Sequence, residues 1–178
     1  MLLHRLGLPF AWQSPAVDET ARPGEDPEQL ASRLAAAKAG AVSRLRRDTL
    51  VIGSDQVAVH DANLVGKPRD RDHALRMLLD MRGAEIRFVT GLHVIDGRNG
   101  REWSDRSHYA VCFRQYSVFE AERYVDRVQP FNCTAAFKSE ELGVALVERM
   151  DGDDPTGLIG LPLIRLCGIL REAGLEVP

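Results

Sequence analysis

The sequence predicts an α/β or mixed α+β domain, and three observations carry that expectation. Short β-branched runs alternate along the chain with segments whose apolar residues recur every three or four positions. The length, 178 residues, is that of a single domain with a real core. The composition, 44% hydrophobic and 28% charged with 15 Gly and 9 Pro, excludes collagen-like, coiled-coil and disordered classes.

The elements follow in order. Residues 1–13 read as the end of an amphipathic helix, a stop at Gly7 and an extended Pro9-Phe10-Ala11-Trp12-Gln13, and a polar loop runs from Ser14 to Pro27. Leu30, Leu34, Ala37, Ala41 and Leu45 give Glu28–Arg47 a helical spacing. Leu50–Gly53 is a short buried-strand signal that Gln56–His60 could continue. A turn at Gly66-Lys67-Pro68 precedes a helix over 70–81. Ile86–Ile95 and Tyr109–Arg114 read as strands, with a turn at Asp96–Gly100 between them. Ser117 with Glu120 forms the capping box of a helix reaching about Arg127. Val144–Val147 reads as a further strand and Leu161–Ala173 as a closing helix.

Several function classes are excluded early. No apolar run approaches the roughly 18 residues of a membrane span, and the first residues lack the layout of a cleaved signal. A net charge of −3 argues against a coat for DNA or RNA. Cys112, Cys133 and Cys167 form no C-x-x-C, and their odd number suits a reducing, cytoplasmic setting. The five histidines have no zinc-ligand spacing. GxGxxG, GxxxxGK[ST] and G-x-S-x-G are all missing, which disfavours Rossmann dehydrogenases, P-loop NTPases and serine hydrolases.

All but three of the 23 basic residues are arginine, the exceptions being Lys38, Lys67 and Lys138. Lys38 falls near the apolar stripe of its helix, with Arg33 and Arg47 on the opposite face. It reads either as a snorkelling lysine or as a charge aimed at the core side. Asp55 interrupts an apolar segment and reads equally as a turn residue or as a carboxylate at a strand end, where α/β sheets bind ligands. Glu19 lies in an acidic loop. Together, Glu19 and Asp55 with the three lysines suit polyphosphate chemistry. Lysines neutralise phosphates, while carboxylates hold a hard divalent cation and orient or deprotonate water.

The ordered set Asp18-Glu19, Arg33-Leu34-Ala35-x-x-Lys38-Ala39, Ile52-Gly53-Ser54-Asp55-Gln56-Val57, Gly66-Lys67-Pro68 and Gly160-Leu161-Pro162 resembles the Maf family of nucleoside triphosphate pyrophosphatases from about residue 2 to the C-terminus. All three lysines fall inside it. Phe137-Lys138-Ser139-Glu140 and Asp154–Ile164 resemble the 7-methyl-GTP pyrophosphatase subfamily, as do Gln56 and Glu140. The resemblance implies an elongated α/β fold akin to inosine-triphosphate pyrophosphatases, with a curved mixed sheet flanked by helices, as one domain over 1–178. It implies Asp55 as proton acceptor for the attacking water, and Glu19, Lys38, Lys67 and Lys138 around the triphosphate. Glu19 and Asp55 would hold a divalent cation, Mg or Mn, while Gln56 and Glu140 influence base choice. It further implies a cytoplasmic location and a homodimer. A cationic 7-methylguanine would suit an anionic Glu140 and a stacking aromatic such as Phe137.

Relative to that pattern the chain starts at Met1 already inside the helix ending Leu6-Gly7-Leu8-Pro9-Phe10. The family's first strand and S-x-x-R loop would therefore be absent. Ala135 and Glu141 stand where the subfamily usually shows Gly. Two function classes follow, a pyrophosphatase and a non-catalytic relative that binds a nucleotide or a partner linked to cell division.

Overall fold

The computed structural model describes residues 2–177. Its strands are β1 (Leu50–His60), β2 (Asn63–Val65), β3 (Glu85–Asp96), β4 (Glu102–Phe113) and β5 (Val147–Gly152), in the sheet order β2-β1-β3-β4-β5. Its helices are α1 (Pro27–Ser43), α2 (Arg71–Met81), α3 (Val118–Val128), α4 (Pro155–Leu158) and α5 (Leu163–Glu172). The fold class is the expected one, with helices flanking a sheet. Within the described residues the strands run antiparallel rather than mixed: β1 pairs β2, β4 pairs β5, and the start of β1 meets the end of β3 through Gly97 N–H and the Thr49 carbonyl. Among the described residues, no helix is long and apolar enough to cross a membrane.

The chain forms two compact units. The first holds the residues up to Gln56, Val89–Ser107 and those from Asp154 on. Asp26 caps α1, accepting from Gln29 N–H while the Gln29 side chain returns a bond, and Pro27 opens the first turn. Alternation along β1 divides the strand's two faces. Gly53 lies under α1, where a Cβ would collide with the Ala35 carbonyl and Ala39, and Gly91 of β3 lies equally close to Ala31. Glycine is required at both because helix backbone occupies the space of a side chain. The other face carries Leu92 and Val94 against Leu163, Leu166, Ile169 and Leu170 of α5, with Ile52, Leu2, Leu3 and Leu6 packed at the edge. The first turn is a 3-10 helix, Leu2–Leu6, ended by Gly7 at φ +67°.

The second unit holds Val57–Phe88 and His108–Asp153. In it α2, capped by Asp70, packs on α3, capped by the expected Ser117–Glu120 box. Phe88, Phe113, Tyr124, Leu78 and Met81 fill its core.

Three elements differ from expectation. β1 runs unbroken through Gly53-Ser54-Asp55, so this triplet is strand and not a turn, and Asp55 lies in the middle of the strand rather than at its end. β4 begins at Glu102, seven residues earlier than expected, because the Asp96–Arg101 turn returns the chain directly onto β3. The apolar run Val144–Val147 is mostly a 3-10 helix, Leu142–Leu146, with β5 starting at Val147. Only Leu146 of Val144, Ala145 and Leu146 is buried, while the Ala145 and Leu146 carbonyls are bound by Arg114.

Candidate active site

The centre of the first unit's chemistry is Lys38. Its Nζ lies 2.5 Å from Asp55 Oδ1 and 2.7 Å from Glu19 Oε1. One ammonium thus bridges two carboxylates from a strand and from an irregular loop. Asp55 and Lys38 are held on facing surfaces because Gly53, two residues before Asp55 on the same face of β1, lets α1 approach closely. Side-chain exposure falls from 51% at Glu19 to 22% at Lys38 and 12% at Asp55, so the cluster opens toward solvent on the Glu19 side. Burial pulls the Lys38 pKa down, but the hydrogen bonds to Asp55 and Glu19 outweigh it and the net shift is upward. The ammonium stays charged. Of the two sequence readings of Lys38, the core-directed charge is the one found.

The neighbours of Asp55 point to the other face of β1. Ser54 Oγ lies 2.8 Å from the Gly91 carbonyl and 2.9 Å from that of Gly160. Gln56 Nε2 donates to the carbonyls of Gly157 (2.9 Å) and Leu158 (2.8 Å) and approaches Thr90 Oγ1 at 3.2 Å. Thr90 itself donates to the Gly157 carbonyl at 2.9 Å. An amide facing two carbonyl oxygens must present its nitrogen, so the Gln56 orientation is fixed. The turn it grips is organised from within by Asp154, fully buried, which accepts from Thr156 N–H, Thr156 Oγ1–H and Ile164 N–H. Gly157 is needed there because a Cβ would strike Ser107 Oγ.

The second unit carries Lys67, Lys138 and Glu140. Lys67 is exposed in the loop after β2, beside Gly66, whose carbonyl accepts Ala135 N–H at 2.9 Å. Lys138 Nζ pairs with Glu141 at 3.0 Å, and that hydrogen bond is the first cause of its raised pKa. Its backbone N–H donates to Tyr124 Oη, which in turn donates to the Ala136 carbonyl. Burial pushes the Tyr124 phenol well above its ordinary value. Glu140 is exposed.

Phe137 requires a correction. It is 6% exposed and packs on Phe113 and Phe88, with ring centroids 5.1 and 6.3 Å away. An aromatic used as core filling offers no face for a base to stack on. Ala135 does sit where glycine would be unstrained, at φ +57°, and Ala136 follows at +51°. Glu141, at φ −119°, makes no such demand.

The structure therefore joins Glu19, Lys38 and Asp55 in one cluster, places Gln56 against the 157–158 turn, and sets Lys67, Lys138 and Glu140 in the other unit. Sequence reasoning missed Arg33, which binds Glu25 and the loop carrying Glu19, and missed Thr90. The only signal for Arg33 was its place in the Arg33–Ala39 motif. Thr90, inside an apolar strand, offered none.

A family model described as "Maf-like protein" matches residues 1–173. The chain belongs to the Maf family. Among curated relatives, a 7-methyl-GTP pyrophosphatase of Chromohalobacter salexigens is 49% identical over 98% of this chain and 91% of the relative. Those of Vibrio vulnificus and Pseudomonas aeruginosa are 45% and 44% identical over 99% of the chain and 90% and 92% of their own lengths.

Proposed function

We propose that this Maf protein is a nucleoside triphosphate pyrophosphatase acting on 7-methyl-GTP. The observation that carries the reading is the Glu19–Lys38–Asp55 cluster, a part-buried carboxylate and a solvent-side carboxylate sharing one ammonium. The subfamily reading draws on the three relatives and on Gln56 and Glu140.

In this reading Asp55 accepts a proton from water as the water oxygen attacks the α-phosphorus. The α–β anhydride bond breaks, its electron pair leaves with pyrophosphate, and the nucleoside monophosphate remains. Lys38 donates to Asp55 Oδ1 before the attack and offers positive charge to the phosphates. Lys67 and Lys138 are assigned to the triphosphate, and Glu140 supplies negative charge for a cationic base.

A divalent cation, Mg or Mn, completes the proposal. Among the described residues no group of three or more His, Cys, Asp or Glu could hold a metal alone. Two carboxylates, Glu19 and Asp55, nevertheless fit the manner in which Mg²⁺ binds, through one or two carboxylates with the rest of its shell from substrate phosphates and water. When bound, the cation neutralises charge developing on the phosphate oxygens.

The test is release of pyrophosphate from 7-methyl-GTP, GTP, dTTP and UTP, with kcat/KM measured for each. The methylated nucleotide is expected to lead. Asp55→Asn is expected to lower kcat by about 10²–10⁴-fold while leaving the circular dichroism spectrum unchanged. Glu140→Gln is expected to cost the preference for 7-methyl-GTP over GTP about tenfold, since a charge-assisted contact becomes neutral. Preference for dTTP or UTP would overturn the subfamily reading. Absence of turnover on all four would overturn the enzymatic reading in favour of nucleotide or partner binding.

A further inference from the structure

Glu19 sits in a segment that makes no helix and no strand, Leu8 to Asp26. Yet its carboxylate stands 2.7 Å from Lys38. Something must fix the loop against α1, because an exposed carboxylate on an unanchored chain gains too little from one ion pair to be held in place.

The anchor is Arg33, five residues before Lys38 and so about 7.5 Å away along the helix axis. Its Nε and Nη2 donate to the two oxygens of Glu25 at 2.6 and 2.8 Å, a bidentate fork. Nη2 also donates to the carbonyl of Thr20 at 3.0 Å, the residue following Glu19. Around this fork the loop ties itself together. Arg22 N–H donates to Glu25 Oε2 at 3.0 Å, Glu25 N–H to the Arg22 carbonyl at 3.0 Å, and Thr20 N–H to Asp18 Oδ1 at 3.0 Å. The Glu25 side chain is only 8% exposed although it belongs to an acidic, polar loop. Hydrogen bonds from Arg33, and then from Arg22 N–H, hold the Glu25 carboxyl down at about 2.

We infer that Arg33 is the positioning residue for Glu19: its guanidinium fastens Thr20 and Glu25 to α1 and thereby sets the Glu19 carboxylate on Lys38. The hydrogen bonds of Arg33 run to Glu25 and Thr20, and its guanidinium also acts electrostatically on Asp55. It acts on Glu19 through the loop, and it rests on the pyrophosphatase reading only for its consequence in turnover. Lysine could not replace it, since one ammonium cannot hold both carboxylate oxygens and a carbonyl in the same plane.

The experiment compares wild type, Arg33→Ala, Arg33→Lys, Glu19→Gln and the Arg33→Ala/Glu19→Gln double variant in the full chain. Two readouts do not depend on activity. Reductive ¹³C-methylation labels the three lysines, and the Lys38 signal, assigned with Lys38→Arg, reports its carboxylate partners. Amide hydrogen exchange over residues 18–25 reports release of the loop. In Arg33→Ala the Lys38 signal is expected to move most of the way to its position in Glu19→Gln. Exchange over residues 18–25 is expected to quicken by about tenfold or more, while thermal unfolding remains cooperative. Arg33→Lys is expected to behave like Arg33→Ala. A third readout is kinetic: Arg33→Ala is expected to lower kcat/KM for 7-methyl-GTP about tenfold or more, as small misplacements of a site group do. The same change in the Glu19→Gln background is expected to cost less than about twofold.

A Lys38 signal unchanged in Arg33→Ala would overturn the inference, as would kinetic losses that multiply fully in the double variant. If no nucleotide is turned over, the pyrophosphatase reading falls alone, and the lysine spectrum and the amide exchange rate still decide the role of Arg33.

Discussion

Lys38 and Lys138 are both part-buried lysines paired with carboxylates, and they are built in opposite ways. Lys38, in the first unit, bridges partners 17 and 19 positions away in sequence, on a strand and a loop. Lys138, in the second, pairs with Glu141 three residues on, within its own turn. A local pair forms wherever its turn forms and reports little beyond it. A pair joining three elements exists only when α1, β1 and the 18–25 loop are each in place. Energy follows the same division. A screened neighbour pair contributes about 0–1 kcal/mol, whereas removing one partner of a desolvated cluster leaves charges facing each other without compensation.

The largest expected effect strikes the support of the Lys38 cluster. Gly53→Ala places a methyl against the Ala35 carbonyl and Ala39, helix backbone that cannot step aside. About 3 kcal/mol of destabilisation is expected, the upper range for overpacking. It should appear in denaturant melts together with loss of the Lys38–Asp55 contact. Full activity and unchanged stability would show that α1 does not set the position of Asp55.

Lys38→Met comes next. It leaves Glu19 and Asp55 facing each other, and about 2 kcal/mol is expected, between surface and buried cases. For a chain of this size that lowers the melting temperature by about 4–8 °C. Lys138→Met, read for stability alone, is expected to cost about 0.5 kcal/mol. Equal losses in the two lysine variants would erase the distinction between them.

The smallest effect is one of pH, and its direction follows from Glu25. Its pKa is lowered from an ordinary 4.5 to about 2. The fork to Arg33 therefore contributes in full above the ordinary value and is lost as pH falls through about 2. Protection of the amides across residues 18–25, relative to intrinsic exchange at the same pH, should persist at pH 4 and be lost only as pH approaches 2. Loss of that protection already at pH 5 would mean that Arg33 does not hold Glu25.

Much of this was legible in the residues. The Ser117–Glu120 box closes as its spacing predicts, and the helix over 70–81 begins with Asp70 as its cap. Glycines at 53, 91 and 157 were present in the sequence as letters, but what they make room for depends on which backbone passes beside them. Phe137 shows the converse. An aromatic beside charged residues looks available to a ligand, yet it packs between Phe88 and Phe113. No local pattern records which side of a turn faces the core.

The sequence by itself determined the alternation of helices and strands and the helix caps, and its motif order carried the resemblance that groups Glu19, Lys38 and Asp55. Each follows from periodicity, composition or order along the chain. Only the tertiary structure decided that Asp55 lies within a strand rather than a turn, that Lys38 spans both carboxylates, and that Arg33 ties down the loop bearing one of them. These depend on distances between residues far apart in sequence. Such distances are set by the close packing of α1 over Gly53 and Gly91, a property of assembled backbones and not of any segment alone.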